Sequence, residues 1–343
     1  MHRCIQNPNN MKNILLAVAV FAAAFVSCNK ETEVVPSPNS FTDGARIALT
    51  LTDDAADTRS FFDSTASAEA LSIFVFDNAD NFVIRRDLTS SELAAKSATF
   101  SLPKSLASTP CSFYAIANYD ASSAKTRAAL TALVEKSAAD YNGTFVEVST
   151  AAKRSGGFVM SGMKSQTVGA MNSTTNVGIT LKRTVAKVAL QTTIDPSFAD
   201  KYAGTLTINS VKLSKAASQS LVVVGTPTPG AMTFSHMQTP ATASGKCNAL
   251  FYCFENGALP AGSRVLLEIN ATYDSDGSTS TTDDRSEVTY SVELTGKAAG
   301  EILRNGYYRV AANITGLVGQ ECAVSVTVAD WETPVTQNVE LGA

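Results

Sequence analysis

The chain has 343 residues, a formal net charge of −4 at pH 7 and 45% hydrophobic residues, which is typical of globular proteins. Its length allows two domains of ordinary size. The mild acidity, without a basic patch that carries interleaved aromatic residues, excludes nucleic acid as an expected partner. Beyond the N-terminal segment, no apolar run reaches the roughly 20 residues that a membrane-spanning helix requires.

An export signal is predicted at the N-terminus. Met11-Lys12-Asn13 is basic, residues 14–26 are apolar, and Ser27-Cys28 follows. This order is typical of a signal peptide that starts at Met11 and ends at residue 27. We interpret residues 25–28 as a lipobox in which Cys28 takes the lipid and begins the mature chain. An ordinary signal peptide with a nearby cysteine is the alternative. Residues 28–44 are polar and Pro/Ser-rich, which indicates a tether.

Alternating apolar and polar residues predict β-strands along most of the chain. The first strand covers residues 46–52, where Ile47, Leu49 and Leu51 alternate with polar or small residues. Further strands are predicted at 71–76, 113–117, 158–161, 177–190, 206–213, 221–224, 250–254, 265–273, 288–294, 307–314 and 323–328. Many short strands joined by turns indicate a mainly all-β fold of sandwich-type domains.

Few helices are expected. Thr89 and Glu92 have capping-box spacing, which predicts a short helix that runs to Lys96. Residues 129–138 place apolar side chains at helical spacing and predict a second helix. The polar stretch 166–175 predicts a domain boundary, and residues 225–230 and 274–284 predict loops.

The sequence predicts neither an enzyme nor a metal or cofactor site. His236 is the only histidine of the mature chain, and we expect it in a surface loop. The nucleophile-elbow, phosphate-loop and Cys-Xaa-Xaa-Cys motifs are all missing from the sequence. Residues 274–277 resemble the start of a calcium loop, but without the closing glutamate a hairpin loop is favoured.

The disulfide state of Cys111, Cys247, Cys253 and Cys322 is left open by the sequence, since export permits disulfides. Cys247 and Cys253 lie on one face of a predicted strand and far apart along it, which favours unpaired thiols for these two.

Several segments, taken in chain order, carry a resemblance to a known family. Residues 181–188 read Leu-Lys-Arg-Thr-Val-Ala-Lys-Val, and residues 303–316 contain Leu-Arg-Asn-Gly-Tyr-Tyr-Arg-Val followed by Ile-Thr-Gly. Residues 326–331 end on the only tryptophan. With the strands at 71–77 and 114–118, these segments resemble the fimbrillin family, the pilus subunits of Bacteroidota that are exported as lipoproteins. The Lys/Glu cluster after Cys28 likewise resembles the surface-export signal of Bacteroidota lipoproteins.

This resemblance implies two tandem β-sandwich domains, transthyretin-like or Greek-key, at residues 45–175 and 176–343. It also implies an outer-membrane lipoprotein precursor that an extracellular Arg-specific protease cuts beyond the first strand. The strand then leaves, and the C-terminal strand of another fimbrial subunit, identical or paralogous, fills the groove. The mature protein would be a structural subunit of a cell-surface fimbrium and would support adhesion.

The resemblance assigns roles to particular residues. Arg59 matches the cut position, since it follows the first strand in a predicted loop, and Arg46 at the strand's start is the runner-up. The displaced strand carries Ile47, Leu49 and Leu51. The donor strand carries Val335, Val339 and Leu341 within the tail 334–343, with polar Gln337 in the same alternation.

Several alternatives stay open at this point. Arg59 is an ordinary solvated arginine in one of them, and the tail is a final strand paired within its own domain in another. The whole protein is alternatively a lipid-retaining anchor, a tip adhesin, or a surface glycan-binding or hydrolytic lipoprotein. The adhesion ligand and the position in stalk, tip or base are not predicted.

Overall fold

Strands dominate the part of the chain that the computed structural model describes, which is residues 44–53, 68–150, 153–223, 225, 231–278, 280–296, 299–317, 327–330 and 337–341. The strands are β1 (Ala45–Asp53), β2 (Leu71–Asp77), β3 (Phe82–Asp87), β4 (Ser97–Leu102), β5 (Pro110–Ala117), β6 (Val134–Glu135), β7 (Met160–Thr167), β8 (Thr174–Arg183), β9 (Val185–Ile194), β10 (Thr205–Ala216), β11 (Ser220–Leu221), β12 (Phe234–Gln238), β13 (Ala241–Ala243), β14 (Lys246–Phe254), β15 (Leu266–Asp274), β16 (Arg285–Glu293), β17 (Gly306–Ile314), β18 (Thr327–Asp330) and β19 (Gln337–Leu341). The helices are α1 (Ser90–Ala95), α2 (Arg127–Thr131), α3 (Phe145–Thr150) and α4 (Ser197–Lys201), with 3₁₀ turns at Lys104–Leu106 and Ala138–Tyr141. Among the described helices, none is long and apolar enough to span a bilayer. The predicted all-β fold class is confirmed.

The first sheet has seven strands in the order β3-β2-β5-β7-β8-β1-β4. Strands β7 and β8 pair only at Met160 with Arg183 and at Ser161 with Lys182, so the sheet has a four-stranded and a three-stranded half. Alternate apolar side chains of both halves form one core. This first core includes Ile47, Leu49, Leu51, Ile73, Val75, Phe100, Phe113, Val177 and Ile179. The two halves therefore pack as a β-sandwich.

A second sandwich follows along the chain. Its four-stranded sheet has the order β12-β10-β15-β16, and its six-stranded sheet has the order β13-β14-β9-β17-β18, with β19 also paired to β17. The second core lies between them and includes Val188, Leu213, Phe251, Leu267, Ile269, Tyr290, Tyr308 and Val310. The chain passes from the first sheet to the second sandwich between Arg183 and Val185. The division into domains at 45–175 and 176–343 stays a prediction.

Strand β14 belongs to both cores. Its side chains at Leu250, Tyr252 and Phe254 pack in the first core, and those at Phe251 and Cys253 pack in the second. Period-two alternation puts successive side chains on opposite faces, so a strand buried on both faces can join two cores.

Asn142 fixes β14 against the first core. Its side-chain amide donates to the Tyr252 carbonyl at 2.8 Å and accepts from the Tyr252 N–H at 2.9 Å. These two bonds satisfy backbone groups that burial would otherwise leave unpaired, which costs about 1–3 kcal/mol for each group.

A buried ion pair lies beside this junction. The guanidinium of Arg304 donates to both carboxylate oxygens of Glu255 through Nε at 3.1 Å, and also to the Leu221 carbonyl at 2.7 Å and the Val222 carbonyl at 3.2 Å. The side chains of Arg304 and Glu255 are 5% and 7% exposed. The pair therefore ties β11 and the residue after it to the end of β14.

Local signals in the sequence have mixed outcomes. The capping box of Thr89 and Glu92 and the helix α1 that it begins are confirmed. The helix predicted at 129–138 is wrong in its second half, since α2 ends at Thr131 and β6 pairs instead with β11. Pairing with a strand distant in sequence overrides helical spacing there. The strand predicted at 221–224 extends only over Ser220–Leu221. His236 lies in β12 rather than in a loop.

The unpaired state that the sequence favours for Cys247 and Cys253 is confirmed. Cys111, Cys247 and Cys253 are free thiols. Burial raises the pKa of Cys253 to about 12 and that of Cys111 to about 11, so both remain protonated at neutral pH. Cys322 lies outside the described residues.

We expect the substitution Glu255→Gln to lower the free energy of unfolding by about 3–5 kcal/mol, because it leaves the buried Arg304 charge uncompensated. The matched control is Glu268→Gln. Its ion pair with Lys212, at 3.2 Å, is partly exposed, and its loss should cost below about 1 kcal/mol. Urea unfolding of both variants measures the two losses. Equal losses would contradict the buried role of the pair.

Candidate functional site

Strand β1 occupies an internal position of the first sheet. It pairs antiparallel with β4 from Ala45 opposite Leu102 to Thr50 opposite Ser97. On its other edge it pairs parallel with β8, from Arg46 opposite Thr174 to Asp53 opposite Leu181. Both edges of β1 are therefore hydrogen-bonded, and we call the place that it fills between β4 and β8 the β1 slot.

One face of β1 is completely buried. Ala45, Ile47, Leu49 and Leu51 are 0%, 0%, 1% and 2% exposed and belong to the first core. The intervening Arg46, Thr50 and Thr52 are exposed. Burial of each of the three large side chains contributes about 1.5–3 kcal/mol. The predicted alternation of Ile47, Leu49 and Leu51 is thus confirmed as a buried stripe.

Arg46 has an exposed side chain, but its backbone lies within the sheet. Its N–H donates to the Ser173 carbonyl at 3.1 Å, and the residue pairs with Ser101 on β4. Exposed loops rather than paired strands are the usual sites of proteolytic nicking. The backbone at Arg46 is therefore a poor protease substrate while β1 is in place.

Three of the sequence-predicted sites lie outside the described residues. They are the lipidation site Cys28, the cut site Arg59 and the donor residue Val335. Arg59 falls in sequence between the end of β1 at Asp53 and the start of β2 at Leu71.

The C-terminal tail forms β19, which contains Val339 and Leu341. It runs parallel to β17, with Val339 opposite Ala312 and Leu341 opposite Ile314. Strand β18 takes the preceding stretch of the same β17 edge, from Gly306 to Arg309. Within this single chain the tail therefore pairs with its own β17, as one of the alternatives has it. Its role as a donor stays a prediction.

The neighbourhood of β19 on β17 contains a charged side chain. Asn313 donates to the Asp195 carboxylate at 2.7 Å, and the Ser197 N–H donates to it at 2.9 Å. These bonds lower the pKa of Asp195 to about 2, so this end of β17 carries a negative charge at neutral and mildly acidic pH.

His236 and the acidic residues between β15 and β16, which could in principle carry chemistry, make contacts of a structural kind. The Nε2 of His236 lies 3.1 Å from the Gly143 carbonyl, and its ring packs against Phe251. Asp274, Asp276 and Asp284 lie near one another where β15 turns into β16. Arg285 donates to Asp274 at 2.9 Å in that turn. The turn is the predicted hairpin loop.

Of the two walls of the β1 slot, β4 is absent from the predicted strands and β8 is predicted in part. Strand β4 was not predicted, although Ala98, Phe100 and Leu102 alternate and supply the signal for it. The predicted strand at 177–190 covers Val177 and Ile179 of β8 and continues without a break into β9, but it omits Thr174 and Thr175, of which Thr175 is buried.

Comparison with known proteins bears on the fold. No family model and no curated protein matches the chain. Among solved structures, a fimbrilin (FimA) from Porphyromonas gingivalis is 14% identical, with a TM-score of 0.54 over 88% of this chain and 96% of its own. The tip fimbrial protein Mfa3 from the same organism, with C-terminal truncation, is 15% identical, with a TM-score of 0.53 over 83% and 100%. A proposed cell adhesion protein from Bacteroides eggerthii is 18% identical, with a TM-score of 0.56 over 87% and 95%. The chain has the fold of these proteins.

We expect Leu49→Ala to lower the free energy of unfolding by about 2–5 kcal/mol, because it opens a cavity in the middle of the β1 slot. The control is Thr50→Ala on the exposed face of the same strand, which should change it by about 0.5 kcal/mol or less. Denaturant unfolding of the purified chain measures both. Comparable small losses for both variants would show that β1 is dispensable to the fold.

Proposed function

We propose, from the fold that it shares with fimbrial proteins, that the chain is a structural subunit of surface fimbriae that polymerises by strand exchange and supports adhesion. The observation that carries the proposal is β1. It is an internal strand, yet it comes first among the described strands and is joined to the strands that follow only through its C-terminal end. One cut between β1 and β2 therefore separates it covalently from the folded body.

The precursor is anchored first. Cys28 takes a lipid after the signal peptide is removed, and the lipid holds the chain in the outer membrane. A lipid anchor suits this mechanism because it lies N-terminal to β1. One cut thus frees the body from both the membrane and the strand.

The cut falls after Arg59 and is made by an extracellular Arg-specific protease. Arg46 is the poorer site because its backbone is paired on both edges. A cut after Arg46 would also leave Ile47, Leu49 and Leu51 attached to the body. A cut after Arg59 leaves the entire β1 on the released fragment.

Removal of β1 exposes unpaired backbone groups and apolar core side chains of the first sheet. The facing edges of β4 and β8 present unpaired N–H and C=O groups above an apolar floor, which is a template for an added strand. The C-terminal strand of another subunit, identical or paralogous, fills the slot, and repetition of this step builds a fibre. The shared fold of the fimbrilin and tip fimbrial protein supports this assignment.

The substitution Arg59→Lys tests the processing step, since it keeps the positive charge but removes the arginine. We expect this variant to stay in the membrane fraction with a lipidated N-terminus at Cys28, whereas the wild-type chain begins at Ser60 and enters high-mass fibres. N-terminal sequencing and intact mass of sheared surface fractions make the measurement. The control Arg46→Lys should be processed as wild type. Normal fibres from Arg59→Lys would refute cleavage at this residue.

Deletion of residues 335–343 tests the donor role. The truncated subunit should fold and be processed, because the core residues that the structure describes all precede residue 318, but it should not polymerise. It can still accept a tail from a wild-type subunit and then offers none in return. Co-expression should therefore shorten wild-type fibres, as electron microscopy of sheared fibres would measure. Long fibres from the truncated subunit alone would refute the donor role.

A further inference from the structure

The β1 slot has a strict order of side-chain sizes. Its first buried position holds a small residue, Ala45, and the next three hold the large residues Ile47, Leu49 and Leu51. All four are at most 2% exposed. Close packing makes such a position intolerant both of an added group and of a deleted one. A strand that replaces β1 must therefore present its side chains in a matching order of size.

The tail offers a single suitable face. Val335, Gln337, Val339, Leu341 and Ala343 share one parity, whereas the opposite parity carries Thr336, Asn338, Glu340 and Gly342. Within the first face, the only polar residue is Gln337 and the smallest is Ala343. These two residues restrict how the face can enter the slot.

Entry in the same direction as β1 fits poorly. With Val335 at the position of Ala45, the amide of Gln337 falls at the centre of the slot, where an unsatisfied buried polar group is penalised. With the tail shifted by two residues, Gln337 falls on the small Ala45 position and overpacks it. Ala343 then falls at Leu51 and leaves a cavity there.

Entry in the opposite direction removes the misfit in size at the small position and moves Gln337 from the centre of the slot to its last position. Ala343 meets the small position, Leu341 and Val339 meet the two central ones, and Gln337, close in volume to leucine, meets the last. We therefore propose, on the basis of the proposed function, that the tail of a second copy enters the β1 slot antiparallel to β8 and parallel to β4. The residues Ala343, Leu341, Val339 and Gln337 then replace Ala45, Ile47, Leu49 and Leu51 in that order.

The last position of the slot lies where the pairing with β4 ends. The pairing of β1 with β4 ends at Thr50 opposite Ser97, and only the Leu51 N–H, which donates to the Lys96 carbonyl at 2.9 Å, continues it. Leu51 is itself 2% exposed, so Gln337 takes a buried position there, at the end of the strand pairing rather than at the centre of the slot.

The backbone provides a driving force for the move. In its own chain β19 pairs with β17, along five residues from Val310 to Ile314. In the slot a strand pairs along two edges, as β1 does with β4 and β8. Among the described strands β19 has β17 as its one paired neighbour, and the exchange gives it two.

Pairs of introduced cysteines on the outer face of the sheet distinguish the two directions in which the tail can enter the slot. In the proposed direction Asn338 replaces Thr50, whose partner on β4 is Ser97. If the tail enters in the same direction as β1, Asn338 replaces Ala48 in the first register and Arg46 in the register shifted by two residues. The partners of these residues on β4 are Thr99 and Ser101. Ser97 and Ser101 are four residues apart, or roughly 13 Å along the strand, so the disulfides are distinct.

Full-length chains carrying Asn338→Cys with Ser97→Cys, Thr99→Cys or Ser101→Cys would be assembled into fibres under reducing conditions and then oxidised. We expect a covalent ladder on non-reducing gels from the Ser97→Cys pair only, at least tenfold above each single-cysteine control. A ladder from either other pair, or fibres without any ladder, would overturn the proposed direction. Absence of fibres from the wild-type chain would overturn the proposed function and the direction with it.

Discussion

The strand β1 is the constraint on which the first sandwich depends. Its two neighbours, β4 and β8, do not pair with each other, so an intact three-stranded half requires a strand between them. The requirement is chemical rather than specific to this segment. Any strand that supplies backbone donors and acceptors on both edges and a buried apolar stripe satisfies it. This internal strand, the first of the described strands, is the one that the proposed exchange replaces.

The sequence alone identifies β1 because its signal is local. Ile47, Leu49 and Leu51 alternate within seven residues, and the structure buries all three. What the sequence does not reveal is the pairing. The hydroxyls of Thr52 and Thr180 lie 3.2 Å apart, although 128 positions separate the two residues in sequence. No pattern within either segment predicts that it pairs with the other. The slot is a property of that long-range pairing, so its walls could not be assigned with the strand.

The incorrect local predictions have a similar origin. Val134 lies at helical spacing after Leu130, yet it leaves the helix to pair with Leu221. Strand β14 was predicted from apolar residues alone, because a strand buried on both faces shows a continuous apolar run rather than alternation. For the candidate site, Arg46 illustrates the same limit. Its side chain is exposed, but its backbone is paired within the sheet, so its peptide bond is not accessible to a protease. Only the structure reveals this pairing.

The sharing of β14 between the two cores has a mechanical consequence. In the proposed fibre, a subunit would be pulled between the slot that it offers and the tail that it donates. The slot lies in the first sandwich, and β17, which holds the tail in the single chain, lies in the second. Tension between these points crosses β14 and β9, which are hydrogen-bonded along eight residue pairs and buried against both cores. The two sandwiches can therefore separate under load only by exposing Tyr252 and Phe254 to water, which makes the junction a stiff element rather than a hinge.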